Sequence, residues 1–313
     1  MIKAVDPYIY TNNQLNFKYQ AFKGWKETGA PVAKAHYPMR GLRKLVFNHD
    51  MVPTLYQGGE ARLCFVQPVC LYFDTFSSIL CHEVIPFFWD CWPEHYDMVA
   101  KWINRHRIRR AIFTSRQEME AIKERVPGLQ VLWCHEGVDA SSYNEGALLC
   151  EREIDILEFG RANQRIIGEE SGKLQQSCNY VCTVKDGQYI YSEQELPLAM
   201  AKAKVTLCFP RSMTHPEAAG GVETLTQRYW EAMLSRIVII GHAPQELIDV
   251  CGYNPVIELP LGDKSVSPST FILDILHNIT DYQSLVDRNR QTALEHAPWK
   301  KRMRFVQERL LKL

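Results

Sequence analysis

The sequence predicts an α/β fold built from doubly wound parallel sheets, and three observations carry that prediction. From residue 109 onward, short apolar runs alternate with amphipathic stretches of helical period. A strand, helix, strand series is the pattern of a parallel layer, because parallel neighbours need a crossover between them. The length of 313 residues suits two domains of about 150 residues, each with its own core.

Composition narrows the function classes. Apolar residues make up 46% and charged residues 23% of the chain, as in soluble globular proteins rather than disordered or fibrous ones. Thirty-six basic residues balance 36 acidic ones, so no global field draws the chain to nucleic acid or lipid. No run of eighteen apolar residues occurs, and MIKAVDPYIYTNNQ lacks the basic start and apolar stretch of a signal peptide. A cytoplasmic location is expected. The ten cysteines show no paired CxxC spacing, so reduced, buried thiols are expected and a metal site is not.

Residues 1–45 carry no long periodicity, and KLVFNHD at 44–50 reads as a strand ending at a polar turn. ARLCFVQPVCLYF, then SSILCHEVIPFFWDCWPEH, read as strand-like stretches broken by prolines and turns. EHYDMVAKWINRHR places Met98, Val99, Trp102 and Ile103 at helical spacing. RRAIFTS at 109–115 is a short buried strand. SRQEMEAIKERVPG is a Ser-capped helix closed by Pro127 and Gly128, and QVLWCHEGVD is a strand running into a polar loop. ASSYNEGALLCERE at 140–153 changes composition and reads as a linker.

The second half opens with the strand IDILEFG and a turn at Gly160 and Arg161. NYVCTV is the next strand, and EQELPLAMAKAK a helix with Pro197 in its first turn. VTLCFP and IVIIG are buried strands. A helix at QELIDVCG, a strand at NPVIEL, a helix near 268–278 and two terminal helices complete the pattern. The expected domains are residues 1–145, residues 146–297 and a terminal helix at 298–313.

The most informative stretch is FPRSMTHPEAAGGVETLTQRYWEAMLSRIVII, residues 209–240. Glu223 and Glu231 are eight positions apart. On one helix face they would stand about 12 Å from each other, too far for one shared proton or metal but suited to two ends of an extended ligand. Alone, such a pair is more often a solvated stripe. Its neighbours argue otherwise. GVETLTQRYWEAMLSRIVIIGHAPQELI resembles the signature region of retaining, nucleotide-sugar-dependent glycosyltransferases of GT-B fold marked by Glu-x7-Glu (family 4-like). EFGR resembles the strand-Gly-Arg opening of their second domain. TSRQEMEAI and QVLWCHEGVD resemble their Ser-started helix, strand and Asn-Gly-Val-Asp loop. The resemblance covers about residues 109–260.

The resemblance implies two Rossmann-like domains facing across a cleft, with the nucleotide sugar on the C-terminal domain and the last helix crossing back to the N-terminal one. It assigns Glu231 to the ribose hydroxyls, Glu223 to the donor sugar near the reacting carbon, and Arg161 to the diphosphate. Arg165 stands near the position of the family's usual lysine. The backbone amides of Thr224, Leu225 and Thr226, beside a helix start, would receive a phosphate. The family's glycine-containing turn between the glutamates is replaced by TLTQRYW, with Gly220 and Gly221 upstream, and Thr224, Thr226 and Arg228 could supply hydroxyls and charge. Retention of configuration, no essential metal and no cofactor beyond the donor itself are implied, in keeping with the lack of an Asp-x-Asp pair.

In the first domain, Asp90 and His82 are the candidate catalytic or acceptor-orienting residues, with His49 beside them. His215 and His242 flank the donor motif. A histidine among apolar residues is more often structural, and HEVIPFFWDCWPEH could equally be a packed aromatic loop. The basic runs RHRIRR at 105–110 and KKRMR at 300–304 allow peripheral contact with an anionic membrane face, although such runs are usually solvated surfaces. No stacking motif for nucleic acid accompanies them.

Two functions are expected in order. The first is a glycosyltransferase moving a sugar from a nucleoside diphosphate to a glycan or lipid-linked acceptor. The second is a non-catalytic GT-B relative that binds nucleotide or glycan as an assembly partner. A sugar phosphorylase ranks third, since no pyridoxal-lysine signature is present.

Overall fold

The structure is a computed structural model describing residues 1–7, 16–35, 60–79, 82–160, 164–185, 188–262 and 265–312. It divides into two compact units. One comprises Met1–Glu136 with Trp299–Leu313, and the other Gly137–Pro298.

The first unit holds β1 (Ile2–Val5), β2 (Val32–Ala33), β3 (Ala61–Val66), β4 (Glu83–Phe88), β5 (Arg110–Phe113) and β6 (Gln130–Trp133). They form one sheet of order β2-β1-β3-β4-β5-β6, with every pair parallel. Parallel neighbours need crossovers, which α1 (Asn16–Glu27), α2 (Leu71–Ile79), α3 (Tyr96–Arg105) and α4 (Arg116–Arg125) provide. The α2 segment corrects the sequence reading, which treated VCLYF and SSIL as strand-like. Tyr72, Phe73, Thr75 and Phe76 favour strands locally, but joining β3 to a parallel β4 requires a helix there. The strand expected at 44–50 lies outside the described residues.

The second unit contains β7 (Ile154–Glu158), β8 (Tyr180–Cys182), a small antiparallel hairpin of β9 (Val184–Lys185) and β10 (Gln188–Tyr189), then β11 (Ala203–Cys208), β12 (Val238–Gly241) and β13 (Ile257–Glu258). The main sheet has the order β13-β12-β11-β7-β8, again parallel throughout. Its helices are α5 (Gln164–Ile167), α6 (Glu170–Ser177), α7 (Leu196–Met200), α8 (Arg211–Thr214), α9 (Pro216–Ala219), α10 (Gln227–Leu234), α11 (Gln245–Cys251), α12 (Pro268–His277) and α13 (Gln283–His296). Pro197 lies in the first turn of α7, as expected. Val205, Leu207, Val238 and Ile240 face one core, while Leu157, Ile239, Tyr229, Trp230 and Met233 build the other. Gly241 is required by a close approach: a Cβ there would stand 2.0 Å from the Cys208 carbonyl oxygen.

The stretch read as a linker is bound into this unit. Arg152, 4% exposed, donates to the carbonyls of Ala147, Glu145, Ala203 and Ser235. The last helix, α14 (Trp299–Leu310), belongs to the first unit. Its Trp299, Met303, Val306 and Leu310 share a core with Ala21, Phe22 and Trp25 of α1. Gly24 permits the contact, since a Cβ there would meet Trp299 Cβ at 2.6 Å. The basic runs are partly committed to packing. Arg110 pairs with Glu83 at 3.0 Å and donates to the Leu310 carbonyl, whereas Met303 is fully buried.

Candidate functional site

In the second sheet the strand order reverses between β7 and β11. The crevice outside the carboxyl ends at such a switch point is where doubly wound sheets receive ligands. β7 leads into Gly160, at φ +77. Arg228 of α10 lies against that glycine, where an added Cβ would be 2.6 Å from Arg228 Cδ. Arg228 Nη2 donates to the Phe209 carbonyl just past β11, at 3.0 Å. Its Nη1 is buried and has no hydrogen-bond partner among the described residues. One arginine side chain thus touches both strands' ends at the switch point.

Thr226 caps α10 with extended backbone, yet its hydroxyl makes no capping bond and is also buried, with no partner among the described residues. Buried polar groups normally find partners, and leaving one unmade costs about 1–3 kcal/mol. Here two such groups stand two residues apart at one helix start. The chain reaches this start through Gly220 and Gly221, at φ +55 and +83, which turn it out of α9. Glu246 of α11 then anchors the loop: its Oε2 accepts from the Leu225 amide at 3.0 Å. The expectation that Leu225 offers its amide to a phosphate is therefore corrected. That N–H is spent inside the protein, holding the loop in which Thr224 and Thr226 lie.

Glu231 lies inside α10 and is half-buried. The Tyr143 hydroxyl donates to its Oε1 at 2.7 Å. Burial pushes the Glu231 carboxyl above its ordinary 4.5, while the Tyr143 hydrogen bond and the Arg228 charge oppose that rise. Glu223 precedes α10, which begins at Gln227, so the two glutamates do not share a helix face. His242, directly after β12, brings Nε2 to 3.5 Å from Glu223 Oε1. His215 bonds its neighbour Thr214 at 3.1 Å between α8 and α9.

Arg161 and His49 lie outside the described residues. Arg165 is in α5, and its side chain lies outside the described part. In the first unit, Asp90 follows β4 at the carboxyl edge. It has the left-handed φ of +54 and accepts a hydrogen bond from Gln67 Nε2 at 3.0 Å. His82 precedes β4, about 20 Å away along the strand. It packs by Arg62, and burial first, then that charge, pushes its imidazole down. His82 thus stands at the amino edge, opposite the end where doubly wound sheets hold ligands.

Similar solved structures match along the whole chain. Anabaena HepE in complex with UDP and glucose is 12% identical, with a TM-score of 0.62, covering 100% of this chain and 99% of its own. The HepE complex with UDP-glucose is also 12% identical, with a TM-score of 0.60 over 100% and 99% of the two chains. Sucrose-phosphate synthase from Thermosynechococcus elongatus is 11% identical, with a TM-score of 0.61 over 99% and 98%. A glycosyltransferase from Rickettsia africae is 9% identical, with a TM-score of 0.53 over 98% and 96%. The chain has the GT-B fold. This bears out, at the level of fold, the resemblance read from Glu223, Glu231 and their neighbours. No protein-family model matches the sequence. No curated protein matches it either.

Within this GT-B chain, sequence reasoning overlooked Tyr143 and Glu258 and did not see what Glu246 does. PQEL marks the start of α11 and was a usable signal for Glu246. Tyr143 carried none, because its partner is 88 positions away.

Proposed function

We propose that the chain is a retaining glycosyltransferase that moves a sugar from a uridine diphosphate donor to a glycan or lipid-linked acceptor. The observation that carries this reading is Arg228 at the β7/β11 switch point, with Nη1 and the Thr226 hydroxyl both buried and without a hydrogen-bond partner among the described residues. A diphosphate supplies the acceptor oxygens these donors lack, and charge-assisted bonds to it strengthen as the leaving group gains charge. Glu231 accepts the ribose hydroxyls, sharing its carboxylate with Tyr143. Glu223 faces the donor sugar, and Arg161 adds a second cation. The uridine and glucose part of the proposal rests on HepE, whose structures hold UDP, glucose and UDP-glucose. Asp90 is assigned to the acceptor.

In the retaining step, the acceptor hydroxyl attacks the anomeric carbon on the face the diphosphate leaves, and its proton passes to the departing phosphate oxygen. Protein groups stabilise charge rather than act as a strong base. The test is donor binding and hydrolysis over UDP-, GDP-, ADP- and TDP-sugars, with Glu223→Ala and Glu231→Ala as controls. UDP-glucose turnover lost in both variants is the expected result. Donor binding without turnover would favour a non-catalytic relative, and no binding to any nucleotide sugar would end the proposal.

A further inference from the structure

Three side chains in the second unit form a row that ends on Glu223. Glu258, the last residue of β13, has two hydrogen bonds on Oε1, from the Ala243 amide and from Asn254 Nδ2, each at 3.0 Å. Its Oε2 meets His242 Nδ1 at 2.8 Å. The far nitrogen, Nε2, stands 3.5 Å from Glu223 Oε1. The His242 backbone is held on both sides: its amide donates to the Cys208 carbonyl at 3.1 Å, and its carbonyl accepts from the buried Tyr229 hydroxyl at 2.7 Å. The imidazole is therefore placed by the end of the sheet, although 36% of its side chain is exposed.

The chemistry of the row follows from its acceptors. A carboxylate only accepts, so the proton on the Glu258 side resides on Nδ1. In the neutral ring, that leaves a lone pair on Nε2 facing the Glu223 carboxylate. A second ring proton would make the same geometry a charge-assisted hydrogen bond to Glu258 at 2.8 Å and an ion pair with Glu223 at 3.5 Å. We infer that His242 is a positioning residue which, oriented by Glu258, holds the Glu223 carboxylate against the donor sugar. Glu223 lies in a loop outside any helix, so this row supplies the orientation that a helix would otherwise give. The inference rests on the proposed role of Glu223, and its geometry is testable apart from that role.

The first measurement is of ring 15N chemical shifts in the full chain with labelled histidine, with His242 identified by its loss in His242→Gln. The expected spectrum has Nδ1 protonated, an Nε2 resonance that moves in Glu223→Gln, and an altered tautomer balance in Glu258→Gln. His242 shifts indifferent to both substitutions would overturn the row. The second measurement is turnover of UDP-glucose. His242→Ala is expected to lower kcat about ten- to a hundredfold, the worth of a hydrogen bond to a charged group, with UDP affinity unchanged. His242→Gln, whose amide nitrogen falls near Nε2, should recover more activity than His242→Asn. Equal loss in Gln, Asn and Ala variants, or a matching loss of UDP affinity, would reduce His242 to a structural residue. If Glu223→Ala keeps full turnover while the 15N shifts follow Glu223, the assigned role of Glu223 fails and the row survives.

Discussion

Gly160→Ala offers a sharp test because it separates backbone strain from damage to the proposed phosphate site. At φ +77 an L-residue costs about 1–2 kcal/mol, offset by about 0.4–1 kcal/mol of unfolded-state entropy that alanine removes. The net loss of about 1 kcal/mol corresponds to a fall in Tm of roughly 2–4 °C. The new Cβ would also stand 2.6 Å from Arg228 Cδ. That atom belongs to a flexible side chain, so the clash is relieved by moving the guanidinium rather than the sheet. Displacing it weakens a charge-assisted contact, and UDP should bind roughly ten- to a hundredfold more weakly. Calorimetric titration of UDP into Gly160→Ala, Arg228→Ala and the double variant closes the cycle. The two losses should overlap rather than add, as expected of residues in contact. A Gly160→Ala chain with lowered Tm and unchanged UDP affinity would refute the placement of Arg228 at the phosphate.

Three further outcomes are expected. The Glu231 carboxyl is raised in the folded chain, so its contribution to stability is present below its ordinary 4.5 and lost as pH rises through the folded value. Glu231→Gln keeps an acceptor for Tyr143 without the half-buried charge, and its Tm should gain on the native chain as pH rises from the ordinary 4.5 through the folded value while UDP binding falls. A Tm difference that does not change with pH would contradict this. Glu246→Ala orphans the Leu225 amide at a cost of about 1–3 kcal/mol; hydrogen exchange should accelerate at Leu225, and protection equal to the native level would show that Glu246 does not hold the loop. Gly24→Ala brings a Cβ to 2.7 Å from the Trp299 carbonyl carbon as well as to its Cβ. Backbone cannot rotate away, so urea unfolding should show a loss of about 1–3 kcal/mol as α14 lifts from α1.

Much of this fold is legible in order along the chain. From Arg110 onward the strands of the main sheets announce themselves as short apolar runs, α3 by its period and α4 by its Ser start and Pro-Gly close, because these signals are local. The same locality explains the misreading of α2. Tyr72, Phe73 and Thr75 carry strand propensity, and only the parallel pairing of β3 with β4 makes that segment a crossover helix. α6 went unread because its polar surface and sparse apolar positions give little period to count.

By itself, then, the sequence determined the α/β alternation, the motif around Glu223 and Glu231, and the helix that begins at PQEL. Periodicity and motif spacing express choices made within a few residues. Tertiary structure alone decided which strands adjoin, and so where the order reverses. It set Arg228 between Gly160 and Phe209, gave Tyr143 to Glu231, spent the Leu225 amide on Glu246, and aligned Glu258, His242 and Glu223. Those contacts join residues far apart in the chain, through side chains whose partners no local pattern can name.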